Sequence, residues 1–177
     1  MAGPRTPVMP GWFRDGEDDG RGDGSGGHVG GDGGGSGKGR EGGGAGGGFV
    51  LLGTRCSACG TVFFPREDTY CRNPACAGGA LEEVPLSRRG RIWSFTDSRY
   101  RPPSPYVTNP ELPWEPYALI AVELEAERMV VLGQAVPGVT VADLAVGMEV
   151  EVVAGVLGEG TDTVRTTWWW RPTEVRE

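Results

Sequence analysis

The sequence predicts an all-β protein, a small ribbon of paired strands held by a metal and followed by a five-stranded barrel with one short helix. Three observations carry this reading. All four cysteines fall between positions 56 and 76, as two close pairs. From Leu81 onward the chain is a series of β-favouring segments, alternating or continuously apolar, separated by turn residues. Finally, 21 of the 32 glycines lie in the first 50 residues, which confines the folding part to roughly residues 49–177. The expected divisions are a flexible Gly-rich segment over 1–48, a ribbon over 49–80 and a barrel over 81–177.

The first segment ends its opening stretch with Trp12-Phe13, an aromatic pair suited to anchoring on the body or on a partner. Residues 14–48 are Gly, Asp, Ser and Arg with almost nothing to bury, the composition of a flexible linker. Gly22, Gly24 and Gly27 match the spacing of a dinucleotide-binding loop, but no strand precedes them and no helix follows, so the match is compositional. Arg21-Gly22-Asp23 is likewise read as chance.

In the ribbon, Cys56 and Cys59 are separated by two residues, Cys59 and Cys71 by eleven, and Cys71 and Cys76 by four. Two short-spaced thiol pairs on tight turns can close tetrahedrally on one Zn²⁺. Gly60 frees the first turn, and Pro74 fixes a bend in the second. Two disulfides in a secreted domain are the alternative; nothing before residue 48 resembles a signal peptide, and in a reducing cytosol the spacing favours metal. Four thiolates would fill the shell, so the role expected of Cys56, Cys59, Cys71 and Cys76 is structural. Phe49–Leu52 and Thr61–Pro65 read as the strands carrying the knuckles, with Phe63, Phe64 and Tyr70 as the ribbon's apolar core.

In the barrel, residues 88–96 alternate with period two and include Ile92, Trp93 and Phe95. Six prolines between Arg101 and Pro116 make a long stiff loop. Residues 117–124 and 128–136 read as strands joined by a tight turn. Thr140 is placed to cap a short helix ended by Gly147. Residues 148–153 alternate with Glu149 and Glu151 outward, and 164–171 form the last strand. A short helix between the third and fourth strands selects an OB barrel over an SH3-like one.

Formal net charge is −7, and the body from Phe49 onward holds 12 Arg against 17 Asp and Glu. An acidic body argues against a nucleic-acid-binding module, which needs a cationic face. No apolar run approaches the ~20 residues of a membrane span, so a cytoplasmic protein is expected. The single His (His28) and single Lys (Lys38) both lie in the Gly-rich segment. The body thus has no imidazole for proton transfer and no amine for a Schiff base, which argues against an autonomous enzyme. A free-standing enzyme using zinc or a carboxylate would need an open metal position.

Several motifs occur in one order: Arg-Cys-x-x-Cys-Gly-x-x-x-Phe-Pro from Arg55, a second Cys pair, Gly-x-Ile-Trp-Ser-Phe-Thr from Gly90, Pro-Tyr-Ala-Leu-Ile-Ala-Val-Glu-Leu from Pro116, Leu132-Gly-Gln, Val-Gly-Met-Glu-Val-Glu-Val-Val from Val146, and a terminal Trp-x-Trp-Arg-Pro ending at Pro172. Over about Gly48 to Pro172 this resembles the zinc-ribbon and OB-fold proteins associated with acyl-CoA enzymes, whose ribbon is rubredoxin-like. Cys71-Arg-Asn-Pro and the Trp168-Trp-Trp-Arg-Pro ending look most like small subunits of benzoylsuccinyl-CoA thiolase. The resemblance implies a non-catalytic subunit with structural Zn²⁺, docked on a thiolase-fold thiolase or lipid-transfer-like aldolase in a two-plus-two heterotetramer. It also implies that the subunit helps form the partner's acyl-CoA channel, as in β-oxidation of benzylsuccinate-type substrates. The family's helical start is replaced here by the Gly-rich segment.

Two sets of residues are candidates for that role. Arg88, Arg89, Arg99 and Arg101, with Arg91, are the one basic cluster and suit the phosphates of CoA, solvated or partner-paired arginines being the plainer reading. Tyr100, Tyr106 and Trp114 on the Pro-rich loop, and Trp168 and Trp170 on the last strand, are candidate partner contacts.

Overall fold

The computed structural model describes residues 4–15, 48–101, 114–159 and 164–173. Ten strands run through these residues, and the only helical element among them is one 3₁₀ turn. They form a zinc-ribbon unit set against a closed five-stranded barrel. Among the described residues, no helix is long and apolar enough to cross a membrane.

Barrel strands β6 (Arg89–Ser98), β7 (Tyr117–Leu124) and β8 (Met129–Ala135) form an antiparallel meander. β9 (Glu149–Glu159) and β10 (Val164–Pro172) form an antiparallel hairpin. The ring closes twice: β10 joins β8 in parallel at Trp169 and Trp170, and β9 joins β6 at Arg89–Arg91. A parallel pairing of the third and fifth barrel strands gives the OB arrangement expected from the sequence.

Alternation decides which side chains face inward. Ala118, Ile120, Val122 and Leu124 on β7 are buried, as are Val150 and Val152 on β9 and Trp170 on β10. The alternation expected for residues 88–96 holds only to Ile92. The β6–β7 register shifts between Ile92 and Ser94. This bulge leaves Trp93 and Ser94 both exposed while Ile92 and Phe95 keep facing the core.

The expected short helix is a single 3₁₀ turn, Val141–Asp143. The Thr140 amide and hydroxyl donate to the Asp143 carboxylate at 2.8 and 2.7 Å. The turn stops there because Leu144 is extended (φ −104°, ψ 150°), which sends its side chain into the core.

The ribbon is built on β3 (Val50–Cys56), which pairs with β4 (Val62–Phe63) on one side and β5 (Leu81–Pro85) along its length. Residues 81–85, expected in the barrel, therefore pair within the ribbon. Two short strands also lie inside the segment expected to be flexible. β1 (Arg5–Pro7) adds in parallel to β10, and β2 (Phe13–Arg14) pairs with β3. The rest of that segment, with the glycine and Arg21-Gly22-Asp23 motifs, lies outside the described residues.

Trp12 and Phe13 anchor on the body. Trp12 meets Phe64 and Trp168 at ring-centroid distances of 5.5 and 6.2 Å, and Phe13 meets Phe49 and Trp168 at 5.1 and 6.3 Å. Phe49, Leu51 and Leu86 from the ribbon side belong to the same buried cluster as the barrel core, so the two units share one core. Tyr70, expected in a ribbon core, is 64% exposed. The ribbon's apolar side chains turn toward the barrel, and its metal end has little to bury a tyrosine against.

Arg14 pairs antiparallel with Val50, so the residues flanking the glycine-rich stretch lie on neighbouring strands. Replacing residues 16–47 by a two-residue turn is expected to preserve the fold and raise stability by about 2 kcal/mol, roughly 0.6 kcal/mol per halving of loop length. Thermal denaturation of the shortened chain checks this; loss of the cooperative transition would contradict it.

Glu151 is held below the usual carboxylate range chiefly by its hydrogen bond from Arg171, with Arg89 and Arg88 adding attraction. A depressed folded value contributes stability above the unfolded value, near pH ~4.3, that is lost as pH falls through the folded value. Glu151→Gln is therefore expected to lower Tm at neutral pH and to flatten its decline below about pH 4, as measured by calorimetry across pH 2–7.

Candidate metal centre

The four cysteines sit on two knuckles at one end of the ribbon. In the first, the Gly60 amide donates to the Cys56 carbonyl at 2.8 Å, and the Cys56 amide donates to the Thr61 carbonyl at 3.0 Å. Gly60 has φ 74°, the left-handed conformation that closes the turn. In the second, Pro74 and Ala75 form the bend, and Asn73 closes it. Its carboxamide oxygen accepts from the Ala75 amide at 3.0 Å, and its carbonyl accepts from the Cys76 amide at 3.0 Å. The Asn73 side-chain amide also donates to the Thr61 hydroxyl at 3.2 Å, tying the two knuckles together.

Beneath them, Thr54 holds the chain between β4 and the second knuckle. Its buried hydroxyl donates to the Glu67 carbonyl at 2.9 Å and accepts from the Glu67 amide at 3.0 Å. The Glu67 carboxylate accepts from the Thr69 amide and pairs with Arg72, beside Cys71.

The sulfur atoms of Cys56, Cys59, Cys71 and Cys76 all lie within 4.8 Å of one another. Cys56 and Cys76 sulfurs are 3.8 Å apart, and those of Cys59 and Cys71 are 3.6 Å apart. A disulfide needs about 2.05 Å, whereas a tetrahedron with Zn–S bonds of about 2.3 Å has edges of about 3.8 Å. The donor set therefore fits a tetrahedral thiolate-loving cation. Cys56 is buried and Cys59 exposed, so the site lies at the surface on one side only.

The electrostatics agree. The side chain and amide of Thr61 bring the Cys59 thiol down to about 6. Cys71 is drawn down by the Asn73 amide, yet desolvation and the adjacent Cys56 and Cys59 sulfurs push it up to about 12. Cys76 is raised in the same way, against the pull of the Gly78 amide. Crowded sulfurs resist joint ionisation until a cation sits among them.

Other candidate residues are dispersed. Arg88 and Arg89 lie at the start of β6 and Arg99 and Arg101 beyond its end. A strand of ten residues separates the pairs by about 30 Å, so the five arginines form no single cluster. Arg89 pairs with Glu149 and Glu151 at 3.4 and 3.9 Å, and Arg99 with Asp97 at 2.6 Å. Tyr100 is 72% exposed. Trp114 stacks edge-on against Tyr117 at 5.6 Å, and Tyr106 lies outside the described residues.

Trp170 is fully buried and has no surface to offer a partner. Trp168 is engaged internally, its indole N–H donating to the Leu132 carbonyl at 3.0 Å. Gly133 makes room for both, since a Cβ there would stand 2.8 Å from either ring. In the sequence Trp93 reads as a strand former and Leu132 as part of a motif, neither as a functional residue, yet both are exposed on the barrel's outer face.

The architecture and the thiol cluster together define a zinc-ribbon and OB-barrel protein. Residues 49–82 match the profile of the ChsH2, rubredoxin-like zinc ribbon domain. A DUF35 domain-containing scaffold protein of Methanocaldococcus jannaschii is 31% identical over 115 residues, 64% of this chain and 74% of that protein. The chain belongs to this DUF35 family. The benzoylsuccinyl-CoA thiolase subunit BbsA of Thauera aromatica is 46% identical over 48 residues, 27% of this chain and only 31% of that subunit. Among solved structures, the Ltp2-ChsH2(DUF35) aldolase is similar with a TM-score of 0.50 and 25% identity, over 71% of this chain and 86% of that one.

Removing metal with a mercurial and chelator is expected to lower Tm by about 10 °C or more and to release one zinc per chain; Cys56→Ser is expected to purify without zinc. Unchanged melting after complete chelation would remove the structural role.

Proposed function

We propose that this protein is a non-catalytic accessory subunit of an acyl-CoA enzyme of thiolase fold, a thiolase or an aldolase. The observation that carries the reading is family membership: the chain is a DUF35 protein, and its relatives include a benzoylsuccinyl-CoA thiolase subunit and the DUF35 component of an aldolase. The composition supports it, because the body from Phe49 onward contains neither His nor Lys. Its only strong nucleophiles are four cysteines gathered into one cluster.

Within this reading, Cys56, Cys59, Cys71 and Cys76 hold a structural Zn²⁺ that fixes the ribbon, and the catalytic groups belong to the partner. The proposed division is a Gly-rich segment over 1–48, a ribbon from 49 to about 85, since β5 pairs with β3, and a barrel thereafter. Arg99, Tyr100 and Arg101, where β6 runs out toward the Pro-rich segment, are the residues proposed to border the partner's acyl-CoA channel, with Trp114 behind them. At the far end Arg89 is held in salt bridges to Glu149 and Glu151, with Arg88 next to it in sequence. A two-plus-two complex in the cytoplasm, acting in β-oxidation of benzylsuccinate-type acyl groups, is the specific form proposed.

The test is affinity purification of the tagged full chain from its native host, followed by mass spectrometry and an acyl-CoA thiolysis and retro-aldol assay. A stoichiometric thiolase-fold protein, active with this subunit and at least tenfold less active without it, is the expected result. Full activity of the partner alone, or recovery of ribosomal proteins and RNA instead, would overturn the proposal.

A further inference from the structure

On the outer face of the β6–β7–β8 meander, Trp93, Val130 and Leu132 are 62%, 45% and 57% exposed. The register makes them neighbours. Ser94 pairs with Ala121, which pairs with Leu132, and Glu123 one step along pairs with Val130. Ala121 is a small, nearly covered residue between them, leaving a flat apolar floor flanked by an indole and two branched side chains. The bulge at Trp93 is what turns the indole outward. A solvent-facing sheet would normally carry polar residues at these positions.

The occupant can be argued from area and charge. These three side chains leave roughly 300 Å² of apolar surface, well under the about 800 Å² per side of a stable interface. The patch is thus too small to hold two copies of this chain together, and has the size and tryptophan content of an anchor inside a larger heteromeric contact. At its edge, Glu123 and Glu125 are exposed carboxylates without an ion-pair partner among the described residues. Nearby Arg89 is engaged by Glu149, and Arg91 donates to the Gly147 carbonyl. Self-pairing would also bring together two chains of net charge −7.

We infer that the outer face of β6–β8, centred on Trp93 and Leu132 and edged by Glu123 and Glu125, docks the acyl-CoA enzyme subunit through an apolar recess bordered by Lys or Arg. This rests on the accessory-subunit reading and adds the surface by which it is met. Neither Trp93 nor Leu132 is buried, so their replacement leaves the core intact.

The test uses full-length chain and the thiolase-fold subunit recovered with it, purified separately and titrated by calorimetry. Trp93→Ser with Leu132→Ser is expected to weaken binding at least 100-fold, with zinc content and melting unchanged. Glu123→Lys with Glu125→Lys is expected to slow association severalfold at low salt and less at high salt. Tyr70→Ser, equally exposed on the ribbon, is expected to bind as wild type. Equal affinity of wild type and the Trp93/Leu132 variant would overturn the docking face while leaving the accessory reading intact. So would sedimentation showing a wild-type homodimer that this variant dissolves. Recovery of no thiolase-fold subunit by the wild type would bring down both.

Discussion

The structure depends on one side chain, Trp168, where three parts of the chain meet. Its ring lies 6.2 Å from Trp12, 6.3 Å from Phe13 and 5.8 Å from Phe64, which bring in the N-terminal segment and the ribbon. Its indole N–H is fixed by the Leu132 carbonyl. A ribbon this short has no core of its own to speak of, so its apolar residues must be buried against something else. Phe49, Leu51 and Leu86 go into the barrel's cluster, and Phe64 goes onto Trp168. The metal site then has only to hold the two knuckles together at the far end.

Much of this was legible in the sequence because its signals are local or periodic. Cysteine spacing specifies a turn-held tetrahedron, and period-two burial specifies strand faces, so the ribbon and the five barrel strands were readable. Three things were not. β1 and β2 span three and two residues, too short for any periodicity, and they exist through pairing with strands far along the chain. The bulge at Trp93 interrupts an otherwise regular alternation, and a bulge is decided by what the neighbouring strand must pack. The arginines were read as one cluster because they are close in sequence, yet a strand carries residues apart at the greatest rate a chain can manage.

The three tryptophans show the same boundary between local and long-range information. Alternation requires Trp168 and Trp170 to share one face and Trp169 to take the other, and that holds. It does not say how deep each sits. Trp170 lies under the closed ring and is fully buried, while Trp168, two residues earlier, reaches the ring's edge and receives the ribbon. Trp169, on the opposite face, packs over Gly155, where a Cβ would come within 2.8 Å of its ring. Glycines at 133 and 155 are thus conditions for the tryptophan run, a dependence visible only once the strands are aligned.

The two proposed functional features are joined through the same indole. The metal knuckles hold the chain around Glu67 through Arg72 and the Thr54 hydroxyl, and that stretch begins immediately after Phe64-Pro65. Phe64 packs on Trp168, and Trp168 bonds the carbonyl of Leu132, whose side chain stands on the proposed docking face. The links from Phe64 to Trp168 and from Trp168 to Leu132 are direct contacts, while Phe64 is joined to Glu67 through the chain itself, over Pro65 and Arg66. A metal-free ribbon that releases Phe64 would therefore loosen Trp168 before it touched the buried strands of the barrel. If the Trp93–Leu132 face docks a partner as proposed, a structural ion in the ribbon would serve it by keeping β8 in place under Leu132, a task it can perform without ever meeting substrate.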